Sequence, residues 1–134
     1  MADKMRLSIV TPDREFFNEE VDMVEFNTTE GEIGIYKGHV PLTVIVKPGI
    51  LTITQGNTVR NAVLHAGFVQ ILPEEVTILA EIIEWPTEID EERAKAARDR
   101  AENRLKSGGK DIDVARAQAA LMRSIARINA ASLK

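Results

Sequence analysis

A single change in composition at Pro86 divides this chain of 134 residues and limits its fold more than any other feature. All five prolines and all six aromatic side chains lie at or before Pro86, whereas residues 87–134 contain eleven alanines. The net charge changes from −7 over residues 1–85 to +3 over residues 86–134. Because composition, charge sign and backbone chemistry change together, we predict two domains, at residues 1–86 and 87–134.

The first domain has the pattern of many short β-strands. Its apolar residues alternate or form short runs, as in half-buried strands, and turn-forming sequences such as Lys47-Pro48-Gly49 separate them. Many short strands without intervening helices predict an all-β antiparallel sandwich, with a barrel as the alternative. The predicted strands are Leu7–Ile9, Val24–Phe26, Ile33–Ile35, Leu42–Val46, Leu51–Ile53, Val59–Val63, Phe68–Ile71 and Val76–Ile78.

The second domain has the pattern of two α-helices joined by a short turn. The first helix runs from Asp90 to Lys106, and Ser107-Gly108-Gly109 ends it because glycine adopts the left-handed cap conformation without strain. The second helix runs nearly to Ser132. A connector this short predicts an antiparallel helical hairpin. The candidate N-terminal caps are Thr87 or Asp90 for the first helix and Asp111 or Asp113 for the second.

The hairpin has little apolar surface to bury between its helices. The second helix carries an aliphatic stripe at steps of three and four residues, whereas the stripe on the first is mostly alanine. Alanine permits close approach but buries little area, at about 25 cal/mol per Å². We therefore expect a marginally stable hairpin that needs the sandwich, a ligand or a partner. The two stripes are Val114, Ala117, Leu121, Ile125 and Ile128, and Ala94, Ala97, Ala101 and Leu105.

Three arginines cluster on one side of each predicted helix, at about 100° per residue. Like charges four residues apart weaken a helix, so the clusters call for an explanation. One interpretation is a solvated face whose arginines pair with carboxylates. The other is an anion site, because a guanidinium group binds phosphate or carboxylate oxygens in pairs. The pattern alone leaves both open. The clusters are Arg93, Arg100 and Arg104, and Arg116, Arg123 and Arg127.

The sequence contains no recognisable catalytic, metal-binding or nucleic-acid-binding motif. It has no cysteine and two histidines, and its net charge of −4 is unlike that of a nucleic-acid binder. It has no membrane-spanning run and no signal peptide, so we expect a soluble intracellular protein. His39 is expected in a turn, His65 as a satisfied core or edge histidine, and Glu84 as an exposed carboxylate.

Five segments in a fixed order resemble the epsilon subunit of bacterial F-type ATP synthases. They are followed by an alanine- and arginine-rich tail, and the resemblance covers essentially the whole chain. Two departures stand out: Tyr36-Lys37 replaces the Leu-Pro of many relatives, and His65-Ala66 replaces a commoner pair of small residues. The five segments are Ser8–Asp13, Gly31–Ile35, Gly38–Leu42, His65–Val69 and Val76–Ala80.

The resemblance implies a non-catalytic subunit in the rotor stalk of a proton-translocating complex. In this family the sandwich docks on the gamma subunit and the membrane c-ring. The hairpin either folds against the sandwich or extends along gamma into the alpha/beta catalytic head, where it hinders ATP hydrolysis. The implied location is the cytoplasmic face of the bacterial plasma membrane, peripheral and without direct membrane insertion. The alternative is a constitutive clamp on the central stalk that senses no nucleotide.

A shorter resemblance concerns ATP. The segment Ile89–Ala94 is similar to the Ile/Leu-Asp-x-x-Arg-Ala motif with which some epsilon subunits, notably from bacilli, bind ATP in the folded-down state. By their chemistry, the apolar and acidic residues would face base and ribose, and the arginines the triphosphate. ATP would act as an effector and would not be hydrolysed; whether Mg²⁺ accompanies it is left open. The implied site is Glu84, Ile89, Asp90, Arg93, Ala94, Arg100, Arg123 and Arg127.

Overall fold

The computed structural model describes residues 4–109 and 113–133. Within them, eight strands precede a 3-10 turn and two helices. The strands are β1 (Met5–Val10), β2 (Glu15–Val21), β3 (Met23–Thr28), β4 (Gly31–Ile35), β5 (Leu42–Ile45), β6 (Gly49–Gln55), β7 (Thr58–Ile71) and β8 (Glu75–Glu84). The 3-10 turn is Pro86–Glu88, and the helices are α1 (Glu91–Ser107) and α2 (Val114–Ala131).

The strands form the predicted β-sandwich, in the order β2-β1-β8-β7-β6-β3-β4, with β5 paired to β7. Among the described strands, every pair is antiparallel except β1 with β8, which run parallel. β7 pairs with β6 through residues 58–64 and with β5 through residues 68–71, so it contributes to both parts of the sandwich. The predicted fold class is therefore confirmed, with one parallel pair that the short strand pattern did not indicate.

A β-bulge in β7 replaces the strand break that the sequence predicted there. The register with β8 shifts between Leu64 and Gly67, and a bulge of this kind bends a strand without ending it. Gly67 has a φ of 147°, and a Cβ at this position would overlap the carbonyl oxygen of Leu79. Val59–Val63 and Phe68–Ile71 are thus two parts of one strand, and His65 lies inside its bulge.

β2 is the strand that the sequence analysis missed. Its two buried phenylalanines, Phe16 and Phe17, are adjacent, and exposed polar residues follow them up to Val21. A bulge beside Val10 in the pairing with β1 accounts for this departure from alternation. Period-two patterning therefore gave no signal for it.

The sandwich has its own apolar core, and the hairpin rests on a smaller second one. The large core is formed by residues from the strands, with Leu7, Ile9 and Phe26 among its fully buried members. The second core joins Val63 of β7 to Ile89 and to three alanines of α2, which are Ala126, Ala130 and Ala131. Because alanine removes little area from water, this second core buries less apolar surface than the main core of the sandwich.

The helix caps agree with the sequence prediction. Asp90 caps α1 by accepting a hydrogen bond from the backbone N–H of Arg93 at 3.1 Å, and Asp113 caps α2 in the same way. Gly108 follows α1 in the left-handed conformation, with φ 59°. The alternative cap, Asp111, lies outside the described residues.

Only part of the apolar stripe predicted for α2 is buried. Ala117 is buried and Leu121 and Ile128 are half-buried, whereas Val114 is 54% exposed and Ile125 is 42% exposed. Outside the stripe, Ser124 and the three alanines of the second core are also buried. The pattern alone could not tell which side of α2 faces α1 and which faces the sandwich. Two helices packed mostly through alanine fit closely but without interlocking large side chains.

Candidate functional site

The junction between the sandwich and the hairpin forms the candidate site. β8 ends at Glu84, and the 3-10 turn then leads directly into Asp90, the cap of α1. Arg93, Ala97 and Arg100 follow at steps of four and three residues, so they share one face of α1. α2 returns antiparallel to α1 and places Arg127 beside Glu84, with 2.8 Å between Arg127 Nε and Glu84 Oε1.

These elements enclose a cavity of about 390 Å³, within the usual range for ligand sites. Seven of the eight residues implied by the sequence line it, and Arg123, one helical turn before Arg127, does not. Glu88 and Ala97 also line it and were not anticipated, although Ala97 follows Arg93 by one helical turn. The lining residues are Glu84, Glu88, Ile89, Asp90, Arg93, Ala94, Ala97, Arg100 and Arg127.

Several arginines at or near this cavity lack a carboxylate partner. Among residues 4–109 and 113–133, no carboxylate oxygen lies within 4 Å of the guanidinium groups of Arg93, Arg100 or Arg123. Neutralisation occurs elsewhere on α1. Lys95 pairs with Glu91 at 3.5 Å, and Arg98 pairs with its neighbour Asp99 at 3.1 Å. Arg93 and Arg100 are exposed and unpaired among the described residues, which agrees with a solvated face as well as with an anion site.

Glu84 is partly buried, and the expectation of an exposed carboxylate was wrong. Its side chain is 24% exposed, and its Oε1 atom accepts hydrogen bonds from His65 Nε2 at 3.2 Å and from Arg127 Nε at 2.8 Å. The hydrogen bond from His65, followed by the contact with Arg127, lowers the pKa of Glu84 from 4.5 to about 2. Glu84 is thus a fixed negative charge that links β7, β8 and α2.

Aromatic and ionic contacts hold the 3-10 turn to the sandwich. Trp85 stacks on Phe16 with 4.3 Å between ring centroids, and the guanidinium of Arg60 lies 4.0 Å from the centre of the Trp85 ring. Arg14 pairs with Glu88 at 2.9 Å and lowers the pKa of that carboxyl. The floor of the cavity is therefore part of the sandwich, whereas its arginines belong to the helices.

The described residues contain no group of three or more histidine or acidic side chains placed to hold a metal ion. No helix within residues 4–109 and 113–133 is both long and apolar enough to cross a membrane. The feature that stands out in this part of the chain is the charged cavity, which is lined by three carboxylates and three arginines.

The structure places the chain in the class of two-domain proteins in which a β-sandwich is followed by a two-helix arm. The chain belongs to the ATP synthase delta/epsilon chain family. Residues 4–86 match the family model for the "ATP synthase, Delta/Epsilon chain, beta-sandwich domain", and residues 87–132 match that for the "long alpha-helix domain". The resemblance to epsilon subunits found in the sequence is confirmed.

Curated relatives of similar length carry the name ATP synthase epsilon chain. The protein of Desulforamulus reducens is 44% identical over 98% of this chain and 99% of its own length. The protein of Halalkalibacterium halodurans is 41% identical over 95% of this chain and 96% of its own length. The protein of Bacillus velezensis is 36% identical over 95% of this chain and 96% of its own length. The family assignment thus extends over both halves of the chain.

A solved structure shares the fold. A chain in the cryo-EM structure of the Euglena gracilis mitochondrial ATP synthase, which contains OSCP, F1 and the c-ring, superposes with a TM-score of 0.84. The alignment covers 98% of this chain and 82% of that chain, at 24% identity. At this identity the likeness supports the fold, including the arrangement of sandwich and helices.

Replacing Glu84 by glutamine is expected to reduce the free energy of unfolding by roughly 1–2 kcal/mol at pH 7, because the partly exposed pairs are screened by solvent. A carboxyl whose pKa falls from 4.5 to about 2 on folding stabilises the protein above pH 4.5, and this contribution disappears as the pH falls towards 2. Chemical unfolding of both proteins between pH 2 and 7 measures the difference.

The matched control for this prediction is Glu81→Gln, on the same strand, where the side chain is exposed. We expect its unfolding curve to follow that of the unchanged protein at every pH. If the free energy of unfolding of Glu84→Gln equals that of the unchanged protein at every pH, the contacts to His65 and Arg127 add no stability.

Proposed function

We propose that this chain is a non-catalytic subunit of the central stalk of a proton-translocating F-type ATP synthase. Its sandwich would bind the gamma subunit and the c-ring, and its hairpin would hinder ATP hydrolysis when it extends towards the alpha/beta head. The proposed location is peripheral, on the cytoplasmic face of the bacterial plasma membrane. The family assignment and the weakly packed hairpin support this proposal.

The regulatory ligand that we propose is ATP, bound in the cavity at the junction. The observation that carries this assignment is a cavity bordered by both helices and the sandwich, with Arg93 and Arg100 unpaired at its wall. Guanidinium groups suit phosphate oxygens, and the arginines would hold the triphosphate. Ile89 and Ala94 would contact the base, and the carboxylates of Glu84 and Asp90 would accept hydrogen bonds from the ribose. Arg123 would reach the phosphates only after a side-chain rearrangement.

The proposed mechanism is linkage between binding and hairpin closure. A ligand that contacts α1, α2 and β8 together binds only the closed form, and so it stabilises that form by RT ln(1 + [ATP]/Kd). At one hundred times Kd this amounts to about 2.7 kcal/mol, enough to shift a two-state equilibrium about a hundredfold. When ATP falls, the hairpin would open and suppress hydrolysis.

Isothermal titration of the purified chain with ATP, with and without Mg²⁺, tests the assignment. We expect saturable binding at one site, and the same affinity within about threefold in Arg104→Ala, which removes an exposed arginine of α1 one turn beyond Arg100 and outside the cavity lining. Absence of saturable heat in the unchanged protein would remove ATP as the ligand of this site.

A constitutive clamp is the second candidate, and one observation favours it. The ion pair between Glu84 and Arg127 and the second apolar core hold the hairpin against the sandwich without any ligand. In that case ATP would not change the distance between α2 and β6. Distance measurements between spin labels on these two elements, with and without ATP, distinguish a clamp from a switch.

A further inference from the structure

We propose that His65 is a positioning residue for Glu84 and that it thereby sets the affinity of the cavity for nucleotide. The inference deepens the proposed function and rests on it.

The imidazole of His65 is almost completely buried, and one of its two nitrogens has no hydrogen-bond partner among the described residues. It is 1% exposed and lies in the bulge of β7, where the register with β8 shifts. Within the described residues, its Nδ1 atom has no hydrogen-bond partner. A buried unpaired nitrogen is unfavourable, so packing alone does not explain a histidine here. The polar contact that it does make is with Glu84.

Glu84 receives one hydrogen bond from each of two separate elements. His65 Nε2 donates from β7, 3.2 Å from Oε1, and Arg127 Nε donates from α2 to the same oxygen at 2.8 Å. The donor on β7 is part of the sandwich and stays in place if the hairpin moves. The donor on α2 leaves with the hairpin or turns towards a bound phosphate. His65 is therefore the contact that keeps the Glu84 carboxylate oriented in both situations.

The other oxygen of Glu84 remains for a ligand. Oε2 accepts no hydrogen bond from the described residues, and Glu84 lines the cavity. A carboxylate whose orientation is fixed before binding accepts a ligand hydroxyl without further loss of side-chain freedom. Without His65, that ordering would be required at the moment of binding, and affinity would fall.

Two substitutions separate positioning from packing. His65→Gln retains an N–H donor at about the reach of Nε2, whereas His65→Leu fills the space and has no donor. Positioning predicts that Gln resembles the unchanged protein and that Leu does not. Packing alone predicts the opposite order, because Leu removes the unpaired Nδ1. His65→Asn, whose shorter amide does not reach Glu84, is the second loss variant should the Leu protein fail to fold.

The experiment combines two readouts on the full chain. Carbon-13 NMR titration of the Glu84 carboxyl with pH, without nucleotide, reports its pKa, which the hydrogen bond from His65 lowers, and isothermal titration with ATP reports affinity. We expect the pKa of Glu84 to rise from about 2 towards 4.5 in His65→Leu and His65→Asn, and the Kd for ATP to rise about tenfold. His65→Gln is expected to keep both values.

The outcomes distinguish this inference from the proposed function. An unchanged Glu84 pKa in the loss variants overturns positioning, whatever the ATP result. A raised pKa with an unchanged Kd overturns the link to affinity. If the unchanged protein binds no ATP, the proposed ligand fails and with it the affinity claim, while the NMR arm alone decides whether His65 holds Glu84.

Discussion

Replacing Arg100 and Arg127 together by alanine is expected to weaken ATP binding by at least about 100-fold, because each loss removes a charge-assisted hydrogen bond worth about 1.5–3 kcal/mol. Arg100 has no carboxylate partner within 4 Å among the described residues, so its substitution leaves no anion unpaired. Arg127 also pairs with Glu84, so its loss weakens the attachment of α2 as well. Isothermal titration with ATP measures the change, and the single variant Arg100→Ala isolates the contact with the ligand.

The matched control removes the same charge from the same two helices. Arg104 and Arg116 are exposed, and neither lines the cavity. Their double alanine variant is expected to bind ATP within about threefold of the unchanged protein, because exposed charges at a distance are screened by salt. Equal weakening in both double variants would show a general electrostatic attraction and no defined site.

Deleting residues 87–134 from the subunit in the assembled enzyme is expected to raise ATP hydrolysis at low ATP by about two- to tenfold. The range follows from occupancy: an inhibitory arm present in half of the complexes limits the gain to about twofold, and one present in nine tenths allows about tenfold. The sandwich should remain folded because its main core contains residues of the strands and Trp85. Steady-state hydrolysis assays against ATP concentration measure the gain.

Two further proteins complete this test. The chain with both Arg100 and Arg127 replaced should inhibit more strongly than the unchanged chain at intermediate ATP, since ATP no longer holds the hairpin closed. The chain with Arg104 and Arg116 replaced should behave as the unchanged one. Unchanged hydrolysis after the deletion would contradict an inhibitory role of the hairpin. Dissociation of the shortened subunit would show that the hairpin contributes to assembly.

Local chemistry made much of the fold predictable from the sequence. The caps Asp90 and Asp113 and the terminating Gly108 act through hydrogen bonds and backbone angles within a few residues, and the structure has them as expected. β2 was missed because adjacent Phe16 and Phe17 break the alternation. The break predicted near His65 was a bulge, since its geometry depends on the pairing with β8.

The site was predictable only as a set of residue types. The motif from Ile89 to Ala94 spans six consecutive residues at the start of α1, so its members lie close together. Contacts between residues far apart in the sequence could not be predicted from a local motif. His65 forms a hydrogen bond with Glu84, 19 residues further along the chain, where the register between β7 and β8 is shifted. Arg123 differs from Arg127 in its rotation about α2, and the predicted stripe of α2 matched its buried side only in part, since Ala117 is buried and Ile125 is exposed.

The attachment of Trp85 and Glu88 to the sandwich determines where the hairpin can pivot. Stacking on Phe16 and the ion pair to Arg14 fix the chain up to the end of the 3-10 turn, so any swing of the helices must rotate the backbone at Ile89 and Asp90. Such a swing would split the cavity unequally, leaving the carboxylates behind and carrying the guanidinium groups away. A molecule bound there would contact both parts, since its acidic end would lie against the arginines of the moving helices and its ribose against Glu84 of the stationary sandwich.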